Sequence, residues 1–395
     1  MEQRLSSRVR AIAPSATMSV DAKTKALIRE GRPVVNMSVG EPDFDTPVPA
    51  AFAGIRAITN GNTRYTPSAG TLDLRRAIAA KLMEENGLHY QPDQIVVSNG
   101  AKHSLFNVFL TLCDPGDEVI LPAPYWVSYP EQIRLSGATP VIVSCDESTG
   151  FKITPEQLER AITPRTRAFL LNSPSNPTGA VYSEEELRAL GEVLRRHDIY
   201  VVADEIYERL VYGVKHVSIA AVVPDLMPRT IVVNGFSKAF AMTGWRLGYI
   251  AAPTDIAKAV DSLQSHSTGS PSTISQAAGV VALRSFDPGM VSEFERRRNR
   301  LVEGLRELPG VECLLPDGAF YVFPNVGRLL SAQWNGQTIG TTTRLCELLL
   351  EEELVATVPG EAFGAPNNIR LSYATAYENI ETAIERMRRF VQRLQ

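Results

Sequence analysis

The sequence predicts an α/β protein: a large domain built on a mostly parallel seven-stranded sheet, joined to a smaller α+β domain. Three observations predict it. The chain has 395 residues, roughly two to three times a typical domain, so one very large or two unequal domains are expected. From residue 94 to 252 short, continuous apolar runs alternate with helical patterns, as strands buried on both faces do when helices cover a parallel sheet. After residue 288 the pattern changes to one long helix followed by mixed strands and helices. The expected division is residues 1–48 with the small domain, 49–288 as the large domain, and 289–395 completing the small one.

Residues 19–31, SVDAKTKALIREG, read as a helix stopped by Gly31. VVNMSVGEPDFDTP is a short strand running into a turn at Gly40, Glu41 and Pro42, and residues 48–59 form a second helix. The loop GNTRYTPSAG then presents Tyr65. The seven strand candidates are 94–100, 117–124, 139–145, 168–174, 199–205, 230–235 and 246–252, with helices at 101–113, 125–137, 154–162 and 183–197. Too little chain separates the last two strands for a parallel crossover, so RLGYIAA is expected to run antiparallel. A helix from Pro288 to Leu308 leads into VECLL, AFYVFPNV, LVATVPG and IRLSYA, with helices at 340–353 and 377–394.

Composition excludes several function classes. A formal charge of −4 offers no basic excess for nucleic acid. The basic run Arg296, Arg297 and Arg298 lies among glutamates and reads as a solvated helix face. Four cysteines, widely spaced and without a CxxC, define neither a disulfide framework nor a zinc site. No apolar run reaches 18 residues and no signal-like segment opens the chain, so a cytoplasmic protein without a membrane partner is expected.

In open α/β sheets ligands sit beyond the carboxyl ends of the strands, and the polar oddities of this chain cluster there. Lys238 follows an apolar strand among Gly235, Phe236, Ser237 and Ala239. Such surroundings lower an amine's pKa and make it a usable nucleophile for a Schiff base. Gly100, Ala101 and Lys102 open a helix whose free N–H groups suit a phosphate. Asp204 ends the apolar strand IYVVAD, where a carboxylate needs a partner to stay charged, or else caps the next helix; Tyr207 lies three residues on. Arg370, between Ile369 and Leu371, is either a structural ion pair or a bidentate site for a ligand carboxylate.

The stretches GEPDF, YTPSAG, SNGAKHSLFN, PYWVSY, NSPSNPTG, DEIYERL, SKAFAMTGWRLGY and IRLSYA, in this order, resemble the class I aminotransferases of the aspartate aminotransferase superfamily, bacterial type. The resemblance implies pyridoxal 5'-phosphate, fold type I of enzymes that depend on it, and active sites shared across a homodimer. It implies that Lys238 holds the cofactor and moves the proton, that Asp204 pairs with the pyridinium nitrogen, and that Tyr207 and Asn176 bind the 3'-oxygen. Ala101, Lys102, Gly100 and Arg246 would hold the phosphate, with Tyr65 reaching the neighbouring subunit's phosphate. Trp126 would stack on the ring beside the substrate. Arg370, Gly40 and Asn176 would take the α-carboxylate, and Lys102 the distal carboxylate of aspartate or glutamate. The hydroxyl residue often found three positions before the lysine is Gly235 here, so that phosphate contact is not expected.

The implied reaction is ping-pong transamination of aspartate and 2-oxoglutarate to oxaloacetate and glutamate, with amino acids and 2-oxo acids as substrates. Prephenate, aromatic or alanine specificity is the alternative. A basic residue before Pro-Ser-Ala-Thr is associated with prephenate activity, and Ala13 stands there, which argues against it. A ligand-binding regulator is the other class; about a dozen residues precede the pattern, too few for a helix-turn-helix.

Overall fold

A computed structural model describes residues 4–12 and 16–395, so Ala13 lies outside the described residues. A short strand β1 (Val35–Asn36) precedes the large sheet. That sheet comprises β2 (Ile95–Ser98), β3 (Glu118–Ala123), β4 (Thr139–Ser144), β5 (Thr166–Asn172), β6 (Tyr200–Asp204), β7 (Thr230–Gly235) and β8 (Gly248–Ala251). Its order is β2-β8-β7-β6-β5-β3-β4, and β8 is antiparallel to both neighbours, with Gly235 opposite Gly248 and Ser98 opposite Gly248. Val201, Val202 and Ala203 of β6 are wholly buried, as the unbroken apolar run predicts. The edge strand β4 differs from the expectation of burial on both faces: Thr139, Ile142 and Ser144 are exposed, because an edge has only one strand beside it.

The helices start where the capping residues stand. Ser183 Oγ accepts from Glu186 N at 3.2 Å while Glu186 accepts from Ser183 N at 2.8 Å, opening the helix Glu184–Leu194 with three glutamates in its first turn. The expected 125–137 helix contracts to Tyr129–Leu135, leaving Trp126 in the turn before it. The N-terminal helix begins earlier than expected, spanning Ala16–Arg29. Three long helices escaped the sequence reading, Leu72–Asn86, Thr254–Ser267 and Thr273–Ala282, as did the four-residue helices Ser7–Arg10, Ile219–Val222 and Gly327–Leu330. Leu72–Asn86 lays Leu74, Ile78 and Leu82 on the sheet, at the four-residue spacing of one helix face.

The remaining strands belong to smaller sheets: β9 (Tyr321–Val322), β10 (Gln333–Trp334), β11 (Gln337–Thr338), β12 (Val355–Ala356), β13 (Val358–Pro359) and β14 (Ile369–Ser372). β1 pairs in parallel with β12, which ties the N-terminal segment to the C-terminal region, and β13-β14-β9 form an antiparallel trio. VECLL forms no strand; Glu312 makes only an isolated bridge to Asn325. The core here joins Phe294, Leu301 and Leu305 of the helix Pro288–Arg306 to Ile380, Ile384 and Met387 of Tyr377–Gln392, and it reaches Ile206 and Tyr207 beside the large sheet. Arg297 and Arg298 correct the solvated-face reading: both are buried. Arg297 binds Asp43 at 2.8 Å and Glu293, and Arg298 donates to Pro316 O at 2.9 Å. No helix among the described residues is long and apolar enough to cross a membrane.

Candidate active site

The carboxyl ends of β2, β5, β6 and β7 and the start of β8 meet at one edge, where a cavity of about 430 Å³ opens. It is lined by Lys238, Asp204, Tyr207, Asn176, Arg246, Arg370, Lys102, Ala101, Trp126 and Gly40. Gly100 abuts it through the Arg246 guanidinium, which a Cβ at position 100 would strike. The structure thus brings together all the expected site residues except Tyr65, which stands fully exposed in the single chain and outside the cavity.

Lys238 follows β7 and donates from Nζ to Gly40 O. Burial, reinforced by the Arg370 and Arg246 charges, lowers its pKa to about 8, partly offset by Glu41 and Asp204. About a tenth of the amine is therefore neutral and nucleophilic at pH 7, far more than for an ordinary lysine. Asp204 is 3% exposed, accepting from Tyr129 Oη at 2.7 Å and from Ile206 N at 3.2 Å. The turn after β6 takes one oxygen while the other faces the cavity side chain Tyr129, and no helix follows before Ile219, so Asp204 is not the helix cap that the sequence also allowed. Burial nonetheless raises the Asp204 pKa to about 6, opposed by the two hydrogen bonds and helped by the Glu205 charge.

Arg370, also 3% exposed, donates to Asn176 Oδ1 at 3.0 Å and Ser38 O at 2.8 Å, and packs on the Tyr321 ring at 4.5 Å. Its Nε has no partner, and no carboxylate pairs with it among the described residues, which removes the structural ion-pair alternative. Tyr207 Oη and Tyr321 Oη are 2.9 Å apart. Asn176 is fixed by its N–H to Asn172 Oδ1 at 3.0 Å.

Gly100 takes the left-handed φ of +85° that starts the helix Ala101–Leu112. Its own N–H donates to Ser98 O at 2.8 Å, so the N–H groups left outside the helical ladder are those of Ala101 and Lys102. A Cβ on Gly248 would lie 2.3 Å from Ala101 N, so only glycine lets β8 pass beneath this turn. Arg246, at a left-handed φ of +53°, reaches the turn and donates to Thr243 O at 2.8 Å and Asn99 O at 3.3 Å. Lys102 Nζ lies 4.8 Å from the centre of the Trp126 ring, and burial, then Arg246, lowers its pKa.

Sequence reasoning missed Tyr129, Tyr321 and Ser38, and gave no role to Ser237, which lines the cavity beside Lys238. Tyr129 sits three residues after Trp126 in PYWVSY, and nothing in the sequence links it to Asp204. Its hydrogen bond lowers the carboxyl pKa, so Tyr129→Phe should raise that pKa further and weaken the carboxylate's hold on a neighbouring cation. Loss of a hydrogen bond to a charged group, about 1.5–3 kcal/mol, predicts roughly a ten- to hundredfold lower kcat, with the loss greatest at the acidic end of the profile. A kcat profile from pH 5 to 9 checks it.

A buried amine of lowered pKa, a buried carboxylate in want of a cation, a helix start flanked by arginine and an unpaired buried guanidinium define an enzyme acting on amino acids through a carbonyl cofactor. The chain belongs to the class I and II aminotransferases: that family's model matches residues 32–387. It is 49% identical to an aspartate aminotransferase of Geobacillus stearothermophilus over 98% of this chain and 99% of that one. The aspartate aminotransferase of Rhizobium meliloti superposes with a TM-score of 0.96 at 46% identity, covering 99% of this chain and 100% of that one. That of Thermus thermophilus, solved with maleate, gives 0.91 at 46% identity, covering 98% and 99%. The family depends on pyridoxal 5'-phosphate, and the residues fit it: Asp204 lacks the cation that a ring nitrogen would provide, and the Ala101 and Lys102 N–H groups with Arg246 offer an anion seat.

Proposed function

We propose that this aminotransferase exchanges the amino group between aspartate and 2-oxoglutarate, with the cavity residues dividing the work of binding and proton transfer. The observation that carries the reading is Arg370: a buried guanidinium without an acid partner, opening onto the same cavity as Lys238. An amino-acid α-carboxylate supplies the missing anion in bidentate fashion. The similarity to a maleate-bound relative supports a dicarboxylate, and Lys102, a cation lining the same cavity, would take its distal end.

When bound, pyridoxal phosphate supplies an electron-withdrawing ring that stabilises negative charge at the substrate Cα. Asp204 keeps the ring nitrogen protonated, because a buried anion favours a neighbouring cation. Lys238 Nζ, neutral in part near pH 7, takes the proton from Cα. Arg370 and Asn176 hold the α-carboxylate so that this C–H bond stays in reach of Nζ. With the cofactor bound, Tyr207 would donate to its ring oxygen and Trp126 would cover its ring, while Gly40 leaves room at the carboxylate end, where a Cβ would lie 3.2 Å from Tyr321 Oη.

The working form is a cytoplasmic homodimer. Val48, Phe52, Ile55 and Ile58 form an exposed apolar face on the helix Val48–Thr59, and with the fully exposed Tyr65 they suit burial against a second copy, Tyr65 then entering its phosphate seat. The reading of residues 1–48 and 289–395 as one domain and 49–288 as the other is supported by the cavity lining, which draws on Gly40, Tyr321 and Arg370 as well as on Asp204 and Lys238.

A panel of amino donors with 2-oxoglutarate tests the reading. Arg370→Lys should raise KM for every donor together, since each has an α-carboxylate. Lys102→Ala should lower kcat/KM for aspartate and glutamate by about ten- to hundredfold and leave alanine nearly unchanged. An equal loss for all donors would assign Lys102 to the phosphate instead.

A further inference from the structure

Asp204 serves the cavity, yet the residue after it, Glu205, is just as buried and has no part in the mechanism. It faces the layer under the helix Leu72–Asn86, where Lys81, Glu208, Glu205 and His216 have side chains 4%, 8%, 4% and 5% exposed. Lys81 Nζ pairs with Glu208 Oε1 and donates to Asn86 Oδ1 at 2.8 Å, and Asn86 donates to Glu208 Oε2 at 2.9 Å. Glu208 is thereby satisfied. Among the described residues, Glu205 Oε2 has His216 Nε2 as its partner, an ion pair at 3.3 Å without good hydrogen-bond alignment, and His216 Nδ1 has none. Tyr90 and Tyr249 face the same carboxylates, with Tyr90 Oη unpaired, while Glu85 and Arg209 pair with each other at the rim.

Charge decides the state of this cluster. Two carboxylates against one lysine leave an excess negative charge in a buried site, which a proton on His216 cancels. Burial favours the neutral imidazole, but Glu205 and Glu208 outweigh burial and Lys81 and raise its pKa. The same Glu205 charge acts on Asp204 in the opposite sense to the one catalysis needs, pushing its proton affinity up. A divalent ion on Glu205, Glu208 and His216, which lie close enough to share one, would compete with the lysine already held by Glu208 and overshoot neutrality.

We propose that His216 is a positioning residue: as the imidazolium counter-ion of Glu205 it neutralises the charge next to Asp204, so that Asp204 remains an anion able to hold the cofactor's ring nitrogen. This rests on the aminotransferase reading of the cavity. Glu205 is coupled to the active site by its neighbour in the chain, and His216 acts through Glu205.

The test follows the pH midpoint of the absorbance change of bound pyridoxal phosphate in the dimeric holoenzyme. His216→Gln leaves Glu205 uncompensated and should raise the midpoint by about one pH unit. The double variant Glu205→Gln with His216→Gln removes both charges and should return the midpoint to that of the unmodified protein. An unmoved midpoint in His216→Gln, or no recovery in the double variant, overturns the proposal. Imidazole NMR of the unmodified apoprotein needs neither variant nor cofactor: His216 should titrate above the ordinary value of about 6.5, and a neutral ring at pH 6, or tightly held divalent metal by elemental analysis, overturns it. Failure of the aminotransferase reading shows differently, as an unmodified protein that binds no cofactor or forms no borohydride-stable adduct at Lys238.

Discussion

Lys238→Ala should lower kcat for aspartate by about ten-thousandfold or more, because the position supplies both the covalent anchor and the Cα base. The variant should still fold. Lys238 is a buried cation whose pKa is lowered to about 8, so it opposes stability while charged, and its removal costs one hydrogen bond to Gly40. Borohydride reduction in the presence of pyridoxal phosphate, followed by peptide mapping, should place the adduct on Lys238 in the unmodified protein and leave the variant unlabelled. An adduct on another lysine would sink the assignment.

Asp204→Asn should lower kcat by a few hundred- to a few thousandfold, since losing one partner of a buried ion pair costs about 3–5 kcal/mol. The same change should stabilise the protein freed of cofactor. A carboxyl whose folded pKa, about 6, exceeds its unfolded value of 3.8 costs stability whenever it is ionised. That cost is absent below the unfolded value and fully present above about pH 6. Calorimetry of the apoprotein should therefore find Asp204→Asn melting above the unmodified protein at pH 7, with the gap closing toward pH 4. Cofactor binding should reverse the order, because a ring cation then meets the carboxylate. Near-normal turnover would refute the role given to Asp204.

The large sheet was readable from sequence because its central strands are buried on both faces and leave unbroken apolar runs, and the short link after Asn234 foretold the reversed β8. The helix Leu72–Asn86 was harder. Its buried face includes Lys81, whose partner Glu208 lies 127 positions away, so a charge interrupts the apolar stripe that marks a helix. Arg297 was misread for the same reason, its partner Asp43 being 254 positions distant. In the site, Lys238 and Asp204 stood out as polar residues at apolar strand ends, and Arg370 as a charge between the apolar residues of a strand. Tyr129, Ser38 and the Glu205–His216 pair did not, since their meaning comes from contacts made only on folding.

One reversed strand shapes what the site can contain. In a wholly parallel sheet the active edge draws only on residues that follow strands. Because β8 runs the other way between β2 and β7, the residue that precedes it, Arg246, arrives at the edge to which β7 delivers Lys238. Anchor and anion clamp thus hang from one short connection, residues 236–247, whose two ends are set by paired glycines, Gly235 and Gly248. A one-residue insertion there shifts the spacing between the two cations and cannot be absorbed by sliding β8, since slipping its register would turn every side chain to the opposite face. Length in this connection is therefore as constrained as the identity of the residues it carries, and homologous inserts should be tolerated in the loops at the opposite edge first.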